Sequence, residues 1–171
     1  RLSLVGSEMC IRDRCFSGDS KLKIQTENEA VARKCFTLLQ KTFNIETKIF
    51  VRENSHLKRV KVYTIEITDP EEIQVIFQAL RLVTNSIDQG TLVLSDMLVV
   101  QQNCCKRAFI RGAFLASGSI SDPEKGYHFE IVCSDAKRAE QLQTIIRSFS
   151  VDAKIVQRKK SHVVYVKAVS Y

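Results

Sequence analysis

Alternation of polar and apolar residues opens the readable part of the chain. In Lys21-Leu-Lys-Ile-Gln-Thr26 the side chains switch character at every step, which predicts a half-buried strand. The period then changes. Val31, Cys35, Leu38, Leu39 and Phe43 recur at helical spacing, and Asn28 stands where it can cap the helix they define. Two further runs, Ile45 to Arg52 and Val60 to Ile67, flank Asn54-Ser-His-Leu-Lys-Arg59 and predict a β-hairpin with a long basic tip. Asp69-Pro-Glu-Glu72 is a helix start: Asp69 caps, Pro70 suits the first helical position, and two acids meet the positive end of the helix dipole. That helix runs on through Ile73, Ile76, Phe77 and Leu80. Between residues 84 and 102 the pattern is weak, and a strand near Thr91 to Leu94 and a short helix after it both fit.

The same pattern returns later. Phe43 to His56 aligns without gaps on Phe149 to His162, with the Phe, Lys, Ile, Arg, Ser and His positions identical. Upstream, Leu22, Ile24 and Thr26 match Phe129, Ile131 and Cys133 after a one-residue slip. Each copy reads strand, helix, strand, basic turn, strand. Two copies of one α+β unit predict a pseudo-twofold fold.

A further helix precedes the second copy, from Asn103 as cap to Gly118, where a left-handed residue is expected to end it. Ala108, Gly112 and Ala116 fall four apart and form a stripe of minimal side chains suited to a close helix–helix seam. A mid-helix glycine costs about 1 kcal/mol against alanine, so Gly112 is more than a filler.

Charge sharpens the picture. The 171 residues carry 26 Lys and Arg against 19 Asp and Glu, a net charge of +7, which favours nucleic acid over acidic proteins or membrane surfaces as partner. No apolar run approaches the ~20 residues of a membrane span. The six cysteines form no C-x-x-C pair, and Cys104 and Cys105 are adjacent, which fits neither a zinc knuckle nor a redox motif. Cys35 and Cys133 sit among apolar neighbours as small buried hydrophobes, and the expected setting is a reducing cytoplasm without a metal.

Arg107 to Val132, RAFIRGAFLASGSISDPEKGYHFEIV, followed by Gln157-Arg-Lys-Lys-Ser-His-Val-Val-Tyr-Val-Lys167, resembles the WhiA family of sporulation and cell-division regulators. Leu22 to Asn54 resembles the N-terminal part of the same family, and the likeness runs from about Phe16 to Lys167. The resemblance implies a fold like the LAGLIDADG homing endonucleases, with a first half over 16–100 and a second over 101–167, and a helix-turn-helix domain beyond them that this chain lacks. It also implies a transcriptional regulator that binds double-stranded DNA in the nucleoid of Gram-positive bacteria and acts in cell division and chromosome segregation. Other regulatory proteins are further partners, and no cofactor or small-molecule substrate is expected. Laid on the endonuclease motif by its first glycine, Ile110 to Gly118 puts Leu115 and Ser117 at the two positions where the endonucleases hold a metal-binding acid. A serine hydroxyl is a poor ligand for a hard divalent cation, so the family's nuclease chemistry is not expected. Asp122 and Glu124, beside Pro123, read as a polar turn.

The repeat-related hairpins both carry positive charge: Arg52, Lys58, Arg59 and Lys61 in one, Arg158, Lys159, Lys160 and His162 in the other. Two such hairpins can straddle a duplex and contact phosphates, although cations at hairpin edges also serve to discourage aggregation. Lys106, Arg107 and Arg111 are candidates to extend that surface. His56 and His162 read as turn residues and His128 as a solvent-facing strand residue, with no catalytic spacing among them. Two other functions stay open: an endonuclease with acids supplied elsewhere, and a protein-interaction module whose DNA binding falls to the helix-turn-helix. At the ends, Arg1 to Arg14 has neither helical nor strand period and reads, with Ala168 to Tyr171, as translated sequencing adapter. Subtracting the 106-residue repeat offset from Gly112 puts the first seam helix near residue 6, inside that stretch, so this helix is expected to be missing.

Overall fold

The computed structural model describes residues 22–54, 60–84, 92–121 and 128–167. The chain divides into two compact units, one ending at Asp96 and one beginning at Met97.

The first unit starts with β1 (Leu22–Thr26), α1 (Glu29–Phe43), β2 (Ile49–Asn54) and β3 (Val60–Ile67), then α2 (Pro70–Leu80) and a two-stranded ribbon of β4 (Leu82–Thr84) and β5 (Leu92–Leu94). Both helix starts follow the expected chemistry. The Asn28 side chain accepts from the Ala30 and Val31 amides at 2.9 and 3.3 Å, and Asp69 accepts from the Glu71 amide at 2.8 Å. Asn44 (φ 55°) and Arg81 (φ 53°) end the two helices in the left-handed region. The sheet is antiparallel in the order β1-β3-β2, with Ile24 opposite Ile65 and Ile65 opposite Ile49. This register lines Leu22, Ile24, Ile65 and Ile67 on one face beneath α1, whose Val31, Ala32, Cys35 and Leu39 are buried. Leu38 and Phe43, expected on the same helical face, are half-buried at its margin. Each fully buried Leu or Ile contributes about 1.5–3 kcal/mol, so this layer holds the unit together.

The second unit begins with a 3-10 turn (Leu98–Val100) and α3 (Asn103–Ser117), then β6 (Gly118–Ile120), β7 (His128–Cys133), α4 (Ala136–Arg147), β8 (Ala153–Arg158) and β9 (Ser161–Lys167). Its sheet has the order β6-β7-β9-β8. β7-α4-β8-β9 repeats β1-α1-β2-β3 in element order and in strand placement. Ile131, Cys133, Ala153 and Val164 face α4, where Leu142, Ile145 and Ile146 are buried. Asp135 caps α4, accepting from the Arg138 amide at 3.1 Å. Burial of the Arg138 guanidinium pulls its pKa below the usual arginine range, and the neighbouring Asp135 carboxylate opposes that shift.

Two expectations for α3 are corrected. Asn103 is the first helical residue; Gln102 takes the cap position, without a side-chain bond to the helix amides. Gly118 is extended (φ −88°, ψ 152°), not left-handed. Glycine is needed there because of a close approach: a Cβ on Gly118 would lie 2.6 Å from the Phe114 carbonyl oxygen and would run into the Phe114 ring. That ring stacks on Phe129 at 5.2 Å.

Candidate nucleic-acid interface

The antiparallel register sorts the side chains of the second unit's sheet onto two faces. Ser119, Glu130, Tyr165 and Lys154 lie opposite one another across β6, β7, β9 and β8. Side chains repeat every second residue along a strand, so Val156, Arg158 and Lys167 belong to this same face, away from α4. The face is concave and encloses about 510 Å³, lined among others by Ser119, Glu130, Val156, Arg158, Tyr165 and Lys167. Val156 is exposed, and Arg158, Lys154 and Lys167 project their charges at the surface. The Arg158 guanidinium makes two parallel bonds to Glu130, from Nη1 to Oε2 and from Nη2 to Oε1, both 3.1 Å. β8 and β9 join through a two-residue turn at Lys159 and Lys160, both exposed, and Lys159 takes φ 55°. The hairpin tip therefore presents two adjacent ammonium groups beyond Arg158.

In the first unit, Arg52 stands opposite Val62 and shares the face of Lys23, Gln25, Phe50 and Glu66, away from α1. Lys23 pairs with Glu66 at 2.8 Å, and Phe50 is 49% exposed. Lys61 is one register step over, opposite Glu53, and so lies on the other face, where it pairs with Glu53 at 3.6 Å. Lys58, Arg59 and His56 lie outside the described residues.

The α3 cations go elsewhere. Phe114 of α3 stacks on Phe129, whose side chain belongs to the helix-covered face of the sheet, so α3 lies on that side. Arg107 places its guanidinium 5.8 Å from the centre of the Phe149 ring; Arg111 is exposed and Lys106 half-buried. These three residues do not join Arg158. The buried stripe of α3 is Cys105, Phe109, Ala113 and Ala116, while Ala108 and Gly112 are half-buried beside it. The expected partner helix, and the readings of residues 1–14 and 168–171, fall outside the described residues, as do Asp122 and Glu124.

At the motif's acidic positions, Leu115 is 59% exposed and Ser117 donates its hydroxyl to the Val132 carbonyl at 2.7 Å. A hydrocarbon and a hydroxyl already spent on backbone do not fit a divalent cation. Among the described residues no three His, Cys, Asp or Glu side chains are grouped as a metal would require. His162, expected in the turn, instead lies in β9, because the turn takes only Lys159 and Lys160; it is half-buried opposite Cys133, and its Nδ1 has no hydrogen-bond partner among the described residues. Burial pushes the Cys35 and Cys133 thiols up to about 11.

Sequence reasoning singled out Arg158 but missed Glu130, Lys154, Tyr165 and Lys167. Lys154 and Arg158 are four apart on one strand, and Tyr165 and Lys167 two apart on the next, a period-two signal that was legible. Glu130 was not, because β9 separates its strand from that of Arg158.

The arrangement has known counterparts. Residues 14–83 match the model of the WhiA N-terminal LAGLIDADG-like domain, and residues 106–171 match that of the WhiA LAGLIDADG-like domain. The "Probable cell division protein WhiA" of Lachnoclostridium phytofermentans is 47% identical over 170 residues, covering 98% of this chain and 54% of the relative. That of Alkaliphilus metalliredigens is 37% identical, covering 97% of this chain and 50% of the relative. The chain thus spans about half the length of these curated relatives. The crystal structure of the N-terminal LAGLIDADG domain of DUF199/WhiA superposes with a TM-score of 0.59 at 16% identity, covering 95% of this chain and 71% of that one. The homing endonuclease I-DmoI in complex with DNA and Mn superposes with a TM-score of 0.58 at 11% identity, covering 91% of this chain and 78% of that one. With both halves matched and the fold shared, the chain belongs to the WhiA family, on an α+β fold of the LAGLIDADG homing-endonuclease type.

Proposed function

We propose that this chain is a non-catalytic, double-stranded-DNA-binding part of a bacterial cell-division regulator. The observation that carries the reading is the open sheet face of the second unit, which presents Lys154, Arg158 and Lys167; Lys154 pairs with Asp152 at 3.4 Å and Arg158 with Glu130, so the cations without an ion pair among the described residues are Lys167 and the Lys159-Lys160 tip. The repeat supplies a matching cation, Arg52, on the open face of the first unit. Backbone phosphate is the natural ligand of such a surface, since each neutralised phosphate releases counterions. The endonuclease relative was crystallised with DNA and Mn, and that likeness supports a DNA-binding use of the fold. Ser117 and Leu115 stand against cleavage, because neither offers the carboxylate that would hold the metal. Roles in transcription, sporulation and chromosome segregation, a nucleoid location in the cytoplasm and further protein partners belong to the same proposal. So does the seam of Ala108, Gly112 and Ala116 against a second helix.

Fluorescence anisotropy on a labelled duplex across a salt series tests the reading. The expected result is binding whose logarithm falls linearly with the logarithm of salt. Absence of any salt-sensitive binding sinks it and leaves the protein-interaction alternative. Incubation of supercoiled plasmid with magnesium should leave the plasmid intact; nicked or linear product would restore the endonuclease reading.

A further inference from the structure

The matched arginines of the two halves are not in matched surroundings. Arg52 and Arg158 are separated by the repeat offset, and each lies on the open face of its own sheet. The one-residue slip that aligns Leu22 with Phe129 and Ile24 with Ile131 aligns Lys23 with Glu130. The register agrees: Lys23 stands opposite Glu66 on β3, and Glu130 stands opposite Tyr165 on β9. The slot that holds an acid in the second half therefore holds a cation in the first. Arg158 is clamped by two 3.1 Å bonds to a carboxylate whose side chain is only 22% exposed, whereas Arg52 makes no ion pair among the described residues.

This difference changes what each arginine can do. A guanidinium has five N–H donors in a fixed plane. Glu130 takes two of them, one from each Nη. The Nε–H and the remaining Nη2–H then point from one edge, the side-on fork that matches the O6 and N7 acceptors of guanine. The clamp also cancels the charge, so the pair as a whole releases no counterion on meeting phosphate. A fixed and neutralised fork suits a base edge, while Arg52, without an ion pair among the described residues, suits backbone phosphate.

We propose that Glu130 is a positioning residue that presets Arg158 to read a guanine edge in the major groove, while Arg52 anchors phosphate, so that the two halves divide reading from anchoring. The proposal rests on the DNA-binding reading above, and the test separates the two. The chain is used to select a preferred duplex from a randomised pool, and binding to that duplex and to its scrambled sequence is measured across salt. Arg52→Ala should weaken both duplexes alike and lower the salt slope by about 0.9. Glu130→Gln should raise the slope by about 0.9, because it frees a cation, and should cut the preference for the selected duplex by about five- to one-hundred-fold. Arg158→Lys retains the interaction with Glu130 but lacks the fork; it should lose the preference with little change in slope. A purely structural role for Glu130 would leave the slope unmoved, which overturns the proposal. So does an undiminished preference in Glu130→Gln. Salt-sensitive binding without any preferred duplex overturns it while the DNA-binding reading stands; no binding to any duplex overturns both.

Discussion

Lys159 separates the stability of the hairpin from its proposed use. It occupies the first position of the two-residue turn between β8 and β9 with φ 55°, a region that favours glycine. A side chain held there costs about 1–2 kcal/mol. We predict that Lys159→Gly relieves this strain, offset by the roughly 0.4–1 kcal/mol of extra unfolded-state entropy that glycine brings. The net gain should be about 0.5–1 kcal/mol, a rise in melting temperature of about 1–4 °C for a chain of this size. Binding should move the other way. Removing one phosphate contact lowers the salt slope by about 0.9, which corresponds to about tenfold weaker binding near 50 mM salt. Ser150→Gly is the control: Ser150 also takes a positive φ, of 60°, so the variant should gain stability without touching the slope. Thermal melts read the first effect and anisotropy titrations the second. A Lys159→Gly chain less stable than wild type by 1 kcal/mol or more would refute the strain argument, and an unchanged slope would refute placement of the tip on phosphate.

Gly118→Ala should destabilise the chain by about 1–3 kcal/mol in a urea titration, because its Cβ meets the Phe114 carbonyl and ring; an unchanged midpoint would count against the close approach. Asn28→Ala removes the acceptor for two α1 amides and should cost about 1 kcal/mol, with Asn28→Gly costing a few tenths. The raised Cys35 and Cys133 thiols set a pH dependence. Their stabilising effect is complete below the unfolded thiol pKa and is lost as pH rises towards about 11, because only the unfolded chain deprotonates between those limits. Each thiol should account for roughly 3 kcal/mol of that loss, and Cys133→Ala should remove its share; a stability profile that stays flat from neutral to alkaline pH would contradict this. Iodoacetamide at pH 8, read by peptide mass spectrometry, should label exposed Cys104 and spare Cys35 and Cys133; prompt labelling of Cys133 in the native chain would show that its burial is wrong.

Local chemistry carried much of the fold in the sequence. Asn28 and Asp69 start the helices where expected, since an Asx side chain before an amphipathic run has one dominant use. The gap-free repeat located both hairpins and brought Arg52 and Arg158 to corresponding positions. Failures came where a neighbour decides. Asn103 looked like a cap, but the chain enters α3 one residue earlier through Gln102. Gly118 looked like a left-handed stop, but what excludes a side chain there is the Phe114 ring. Lys61 looked like a companion of Arg52, yet it stands opposite Glu53, one register step over, and strand alternation sends the two to opposite faces. Glu130 carried no local signal, because its partner is 28 residues away and the strands that hold them are not adjacent.

The junction at Gly118 leaves no slack between two jobs. α3 ends at Ser117 and β6 begins at Gly118, with no connecting residue between them. Gly118 is paired in register with Ile131, and the next residue, Ser119, stands opposite Glu130. Each residue of a helix turns the chain by about 100° and advances it about 1.5 Å. A one-residue insertion in α3 thus has no loop in which to dissipate. It would either turn the Cys105–Phe109–Ala113–Ala116 stripe out of the core or slide β6 along β7 and invert its faces. Gene variants that alter the length of this helix should therefore be as scarce as those that break the sheet, even though neither end of α3 carries a charge that the proposed DNA surface requires.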